Sequence, residues 1–563
     1  MRGLARSNEA ALKTIFNTRF GPALIESEKL VIAACFALFF ATWALYGSIT
    51  QADKSLHHDV LEAYAWGKEF KLGYHQHGPF WAWISGLWFL LFPNTNTSFI
   101  LLAALNATLG LLGAWRLNGL FAQSLDRHAA TLLLLVTPFY TFLSFKYNAN
   151  TIFLSLWPWT LFFFVMSLDN MKMQDALVFG VLAAASILSK YFAIVLLLTC
   201  AASLAFHENG RKYIRSPLPY MAAGIFSLAV LPHLIWLIAT GAPPVAYAMG
   251  LAGRGYLFSI QNSASFLPST GLYHSIILII VLFSRYSLKE KSVGFPSNPV
   301  RPSRQQFLTT LVLAPPLLTL VFGLCFQLKI STNMAVGTFP LVPLFLMQLA
   351  APLDQFRCFQ ISAWFAIAVT LGALATAPFV TAIIAQTSRD PVLLEPRREL
   401  AAHVTTLWRA ETNTPLRFAG AERHYANAIS FYSADRPSSF ADLSYAKAPW
   451  VTPAKLQRYG LLIACVHEDT ACHLKAAEFL SGNWKQTSIR IGHTIGKHQL
   501  RAMTFDVFIV PPQRPYSSSS ETAAHLVPSS RVPLLFHPVP VRQTEPMALC
   551  SGNKRKNWSQ FWS

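Results

Sequence analysis

Residues 29–50 read KLVIAACFALFFATWALYGSIT, with a single charge at the start and none after it. At 1.5 Å per helical residue this stretch matches the ~30 Å hydrocarbon core of a bilayer, and it sets the reading of the whole chain. The chain of 563 residues is 53% hydrophobic and 13% charged, with a mean hydropathy of +0.38, against roughly 25% charged residues in soluble domains. An ordinary soluble enzyme is excluded. The net charge of +19 does not point to nucleic acid, because the basic residues flank apolar spans and form no basic face with interleaved aromatics.

Further apolar runs lie near 97–115, 129–145, 150–168, 174–189, 191–206, 218–240, 271–284, 307–328, 333–351 and 360–386, which gives about eleven spans. Phe80–Phe92 is too short to cross and predicts an interfacial or re-entrant helix. Arg2, Arg6, Lys13 and Arg19 precede the first span, Arg211, Lys212 and Arg215 follow the sixth, and Arg285, Lys289, Lys291, Arg301 and Arg304 follow the eighth. With eleven spans these clusters share one side, the cytoplasm by the positive-inside rule. Loops 50–96 and 241–270, turns near 146–149, 190 and 329–332, and everything after 386 then face outward. Met1–Glu28 has no apolar core and predicts a cytoplasmic segment, not a cleaved signal peptide.

From 387 to 513 the composition turns polar, which predicts a small α/β domain. Glu395–Ala410 reads as an amphipathic helix, and Leu416–Ala419, Ile429–Tyr432, Gly460–Val466 and Met503–Val510 as strands. Cys465 and Cys472 either pair, on an oxidising side, or remain two thiols. Cys35, Cys200 and Cys325, inside apolar runs, read as small buried hydrophobes. Residues 514–563, basic and rich in Ser and Pro, read as a disordered tail.

Chemistry concentrates in the first outer loop, where His57, His58, Asp59, Glu62, Tyr64, Trp66, Tyr74, His75 and His77 gather as the chain leaves the membrane. On a helix, Asp59 and Glu62 share a face. A partly desolvated carboxylate there can act as a general base toward a hydroxyl; the plainer alternative is a solvated helix with an interfacial aromatic belt. His57, His58, His75 and His77 with Asp59 have the donors for a divalent ion, yet no fixed ligand spacing supports one. No cofactor is assigned.

The order Asp59, Glu62, Ala63, Tyr64, Trp66, then Gly73-Tyr74 and His77-Gly78-Pro79-Phe80, resembles the first-loop signature of family 39 glycosyltransferases, which use polyprenyl-phosphate sugars and include bacterial protein mannosyltransferases and aminoarabinose transferases. Tyr147-Asn148-Ala149-Asn150-Thr151 with Trp157-Pro158, and Ser189-Lys190-Tyr191, resemble two later motifs of that family, so the resemblance runs from about 50 to 350. The loop is also similar to that of rhizobial lipopolysaccharide galacturonosyltransferases. Two departures stand out: Val60 follows Asp59 where the family has glutamate, leaving Glu62 as second carboxylate, and His77-Gly78 replaces Lys-Pro.

The resemblance implies a polytopic α-helical membrane protein of GT-C type, about eleven transmembrane helices with a C-terminal α/β periplasmic domain: 1–28 cytoplasmic, 29–386 catalytic and 387–513 periplasmic. It implies inverting transfer of a sugar from a lipid-linked donor to a hydroxyl of a lipid or glycan acceptor, first lipid A or lipopolysaccharide core, at the periplasmic face of the inner membrane. Asp59 is the expected base, with Glu62 beside it. Lys190, His77, Arg254, Lys146 and Lys329 are expected to hold the donor phosphate, though Lys146 and Lys329 read equally as snorkelling residues. Tyr64, Tyr74, Asn148, Asn150 and Tyr191 are expected at the substrate, with helix capping the alternative for the asparagines. Loop 241–270, with Arg254, Gly255 and Tyr256, is expected to form a lid. The competing classes are a protein or other envelope-glycan acceptor, a lipid-linked sugar flippase, and a scaffold without chemistry. Spans with few ionisable groups, His233 among them, disfavour a translocation path.

Overall fold

A computed structural model describes residues 21–513 except 123, 254, 287–301, 338, 351–354, 388–394, 496, 497 and 501. The N-terminal segment up to residue 20, Arg254 and the tail from 514 lie outside the described residues. The membrane part is α1 (Gly21–Thr50), α2 (His58–Gly67), α3 (Phe80–Leu91), α4 (Asn96–Asn118), α5 (Ser124–Leu135), α6 (Phe153–Asn170), α7 (Met173–Ser189), α8 (Ile194–Ser203), α9 (Gly210–Ile214), α10 (Leu218–Thr240), α11 (Pro243–Gly250), α12 (Tyr256–Tyr286), α13 (Pro302–Cys325), α14 (Val342–Leu349) and α15 (Gln355–Thr387).

Six helices among the described residues are long and apolar enough to cross a membrane: Leu30–Thr50, Asn96–Asn118, Leu218–Thr240, Tyr256–Ser284, Pro302–Cys325 and Gln355–Ile383. The apolar α3 and α7 are shorter. Asn96–Asn118 is the most enclosed of the six and packs on α6, whereas Leu218–Thr240 turns most of its surface outward, as a lipid-facing helix does.

Three expected limits move. In the run 129–145 the α-helix stops at Leu135, because Pro138 follows and cannot donate to a continuing helix, and a 3₁₀ turn at Phe142–Phe145 closes the run. The run 333–351 yields, among the described residues, a 3₁₀ turn at Thr332–Ala335 and the short α-helix Val342–Leu349. The expected loop 241–270 is mostly helix, since α11 occupies Pro243–Gly250 and α12 begins at Tyr256. Cys200 is buried, but Cys35 and Cys325 are exposed on outward faces of their helices, where apolarity meets lipid instead of a core.

Beyond the membrane part come α16 (Arg397–Thr412), β1 (Phe418–Ala421), α17 (Arg423–Tyr432), β2 (Ser438–Ala441), α18 (Pro453–Tyr459), β3 (Leu461–Val466), α19 (Thr470–Ala477), β4 (Lys485–Ile491), the short pair β5 (Thr494–Ile495) and β6 (His498–Gln499), and β7 (Met503–Val510). The sheet order is β2-β1-β3-β7-β4, with β2, β1 and β3 parallel and β7 antiparallel to both neighbours. Leu400, Val404, Trp408, Ile429, Leu462 and Phe505 form one core between helix and sheet. The expected strand Ile429–Tyr432 is instead the end of α17, because Tyr425, Ile429 and Tyr432 recur at helical spacing and the first two are buried. Cys465 and Cys472 are disulfide-bonded, tying β3 to α19.

The first loop, the 146–152 turn, the turn at Lys190 and the α/β domain meet at one end of the bundle. α6 runs from there to the opposite end, where Arg304 pairs with Asp169. The loop is held by close backbone contact: a Cβ on Gly67 would stand 2.2 Å from Ala82 O, and one on Gly86 2.4 Å from Gly67 O. Gly67→Ala and Gly86→Ala are each expected to cost about 1–3 kcal/mol, seen as a lowered thermal midpoint in detergent, while a control Gly224→Ala, which meets nothing within 4 Å, does not lower it.

Candidate active site

The site begins where α2 leaves the loop. His57 caps the helix, its Nδ1 accepting from Asp59 N at 3.3 Å, and Asp59 in the first turn sits where a helix favours an anion. Asp59 Oδ1 lies 3.1 Å from His58 Nε2, and Oδ2 accepts from Asn148 Nδ2 at 2.9 Å. Burial acts to raise this carboxyl, but the His58 and Asn148 hydrogen bonds and the neighbouring imidazoles outweigh it and hold the pKa well below the usual range. With 34% of its side chain exposed, the carboxylate stays reachable.

Asn148 is the joint of the site. Its Oδ1 accepts from the backbone N–H of Asn150 at 2.8 Å and of Thr151 at 3.0 Å, an Asx turn at the entry to α6. The turn presents Asn150, whose Oδ1 accepts from Lys190 Nζ at 2.6 Å. Lys190 itself is the extended residue that ends α7. Burial draws its pKa down to about 8, against the opposing charge of Asp59. Asp59, Asn148, Asn150 and Lys190, from three separate motifs, thus form one connected set. His77 borders it: burial first, then the Lys190 charge, pulls its imidazole down to about 3, so it is a neutral donor or acceptor.

Glu62, one turn along α2, faces the α/β domain. Its side chain is 8% exposed and lies 3.7 Å from Arg423 Nη1, and Oε1 is buried without a hydrogen-bond partner. Burial, reinforced by Asp59 and only partly opposed by Arg423, raises its pKa to about 8. Two carboxylates on one helix turn are therefore driven in opposite directions.

The remaining expected residues take different places. Tyr64 is buried among Phe89 and Phe431. Tyr74 stacks on Trp66 and donates to Trp66 O at 2.6 Å. The Tyr191 hydroxyl meets His233 Nε2 at 2.8 Å, and His233 Nδ1 meets Leu72 O at 2.6 Å, so this pair braces the loop from the span side. Lys146 lies on the same turn as Asn148, close enough for its charge to act on His57. Lys329 lies beyond α13, and the structure does not join it to the set around Asp59. Of the groups weighed for a metal, His57, His58 and Asp59 bring ligand atoms within 4.8 Å of one another; His75 and His77 stand outside that trio. The sequence does not single out Arg423, His424 and Gln76. His424 stacks on His58 at 4.6 Å, and Arg423 Nη1 donates to Gln76 Oε1 at 3.4 Å. Arg423 and His424 lie in the α/β domain, and no spacing motif joins them to the loop.

The chain is similar in structure to ArnT from Cupriavidus metallidurans, in the form bound to undecaprenyl phosphate (TM-score 0.54, 12% identity, covering 84% of this chain and 97% of that one) and in the apo state (TM-score 0.53, 13% identity, 86% and 98%). The fold is of the GT-C type. The profile of the family described as dolichyl-phosphate-mannose-protein mannosyltransferase matches residues 76–236, which takes in His77, Asn148, Asn150 and Lys190. No curated protein sequence matches the chain. Within this GT-C bundle, the end that carries the α/β domain is also the end that gathers Asp59, Glu62, His77 and Lys190.

The Glu62 shift has a direct consequence for stability. A carboxyl raised from 4.5 unfolded to about 8 folded holds its proton in the native state while the unfolded chain has lost it, so stability falls as pH rises from about 4.5 to 8. Glu62→Gln removes that loss: its thermal midpoint is expected to exceed the wild type's at pH 8 and to converge with it near pH 4.5.

Proposed function

We propose that the protein transfers a sugar from a polyprenyl-phosphate-linked donor to a hydroxyl of lipid A or lipopolysaccharide core, at the periplasmic face of the inner membrane. The observation that carries this reading is the Asp59–Asn148–Asn150–Lys190 set, which holds a reachable carboxylate and a half-buried ammonium in fixed relation at one end of a GT-C bundle. The family profile over 76–236 and the undecaprenyl phosphate bound by a protein of the same fold support the donor class. The disulfide between Cys465 and Cys472 supports an oxidising compartment around the α/β domain. Arg304, at the opposite end with Asp169, belongs to the basic clusters that the positive-inside rule assigns to the cytoplasm.

In this reading the acceptor hydroxyl attacks the anomeric carbon from the side opposite the phosphate. The new C–O bond forms as the bond from the sugar to the phosphate oxygen breaks, and the bonding pair leaves with the polyprenyl phosphate, inverting the centre. The attacking oxygen becomes strongly acidic as the bond forms, so a weakly basic carboxylate that is always ionised, Asp59, suffices to take its proton late. Asn148 holds that carboxylate in place. Lys190, with neutral His77 donating and Lys146 on the same turn, meets the charge growing on the phosphate. Tyr64 and Tyr74 act through packing, by fixing α2 and the loop that carries His77.

Mass spectrometry of lipid A and core oligosaccharide tests this reading. Asp59→Asn, expressed to the wild-type level, is expected to lose one defined sugar to the extent that a deletion does, with residual transfer down by at least about a hundredfold; normal glycoforms in that strain would falsify the mechanism. Lys190 adds a pH signature. Its ammonium deprotonates as pH rises through about 8, so kcat/KM for the donor should decline above that pH, and Lys190→Arg should carry the decline to higher pH.

A further inference from the structure

Arg423 is the first residue of α17, and its backbone N–H is fixed by Asp442 Oδ1 at 2.8 Å. Its guanidinium carries five donors. Among the described residues these meet only Gln76 Oε1 at 3.4 Å and, beyond hydrogen-bond length, Glu62 Oε1 at 3.7 Å. Glu62 Oε1 has no other partner and is buried. An underused donor from the α/β domain therefore faces an orphaned oxygen from the first loop. The group that satisfies both at once is a hydroxyl, which accepts from one and donates to the other.

A crevice of about 130 Å³ opens on the α/β domain next to the Arg423 backbone, which Asp442 holds, and Glu422, Asp442, Asp469, Ala471 and Lys475 are among the residues that line it. It lies outside the carboxyl ends of β1 and β2. Because the order is β2-β1-β3, the topological switch point falls between β1 and β3, and the crevice, lined after β1 by Glu422 and after β3 by Asp469 and Ala471, opens there, the place where open parallel sheets bind ligands. The carboxylates and the ammonium around it supply acceptors and donors for the hydroxyls of a sugar ring.

We infer that Glu62, Arg423 and this crevice form an acceptor subsite shared between the first loop and the α/β domain, and that it takes a polyhydroxylated sugar of the acceptor. The inference rests on the transfer reading above. Arg423 is then a specificity-determining residue that positions the acceptor while Asp59 receives the proton, and the α/β domain is part of the site.

The test is steady-state transfer by the full-length protein in detergent, with rough lipopolysaccharide from the deletion strain as acceptor and an undecaprenyl-phosphate-linked sugar pool from native membranes as donor. Arg423→Met and Ala471→Trp, the latter a bulky group at an exposed crevice position, are each expected to raise the acceptor KM about tenfold or more, with the donor KM within about twofold. Arg423→Lys should recover part of the loss. An unchanged acceptor KM, or a donor KM that rises in step, overturns the subsite while leaving the transfer reading intact. If the wild type itself transfers nothing to this acceptor, the transfer reading falls and the subsite with it.

Discussion

One asparagine side chain ties the site together. Asn148 gives its amide N–H to Asp59 and its carbonyl to two backbone N–H groups at the start of α6, so the orientation of a carboxylate on α2 and the shape of a turn 89 residues later are set by one planar group. Without the Asx turn Asn150 would not present its oxygen to Lys190. A half-buried ammonium without that acceptor loses part of its hydration uncompensated, so the hydrogen bond between Asn150 and Lys190 helps to keep a cation at that depth. Each member holds its place because the next one does.

The opposite shifts of Asp59 and Glu62 show how environment divides labour between like groups. Asp59 faces imidazoles and an amide and stays ionised; Glu62 faces a distant guanidinium and holds its proton. They sit three residues apart on one helix, so composition gives no hint of the difference. It comes from what packs on each side: the membrane turn on one, the α/β domain on the other.

Legibility in the sequence follows the range of the interaction. Met503–Val510 reads to the residue as β7, because an apolar run of β-branched and aromatic residues declares itself locally. Lys190, Asn148 and Asn150 stand out because a resemblance marks them, although nothing local shows that they touch. The strand β4, with Lys485, Gln486, Thr487 and Ser488 exposed, escapes notice because an edge strand of polar residues carries no hydrophobic period. Ile429–Tyr432 misleads because four residues do not distinguish a strand from a helix end. Arg423 and His424 are invisible because their partners lie more than 300 residues away and depend on how α17 docks on α2.

That docking bears on how the chain is made. Leu56 N–H donates to the Tyr432 hydroxyl across a sequence separation of 376 residues, the Tyr432 hydroxyl donates to Asn96, and Arg397, fully buried, donates to Leu56 O. Phe431 closes an aromatic cluster with Tyr64, Phe89 and Phe99. During synthesis the first loop emerges long before any of these partners exist, with its aromatic face uncovered and its carbonyls unmet. The loop thus waits in an unfinished state until α17 has been made, and the ribosome must add 376 residues after Leu56 before the first-made part of the site takes its final form.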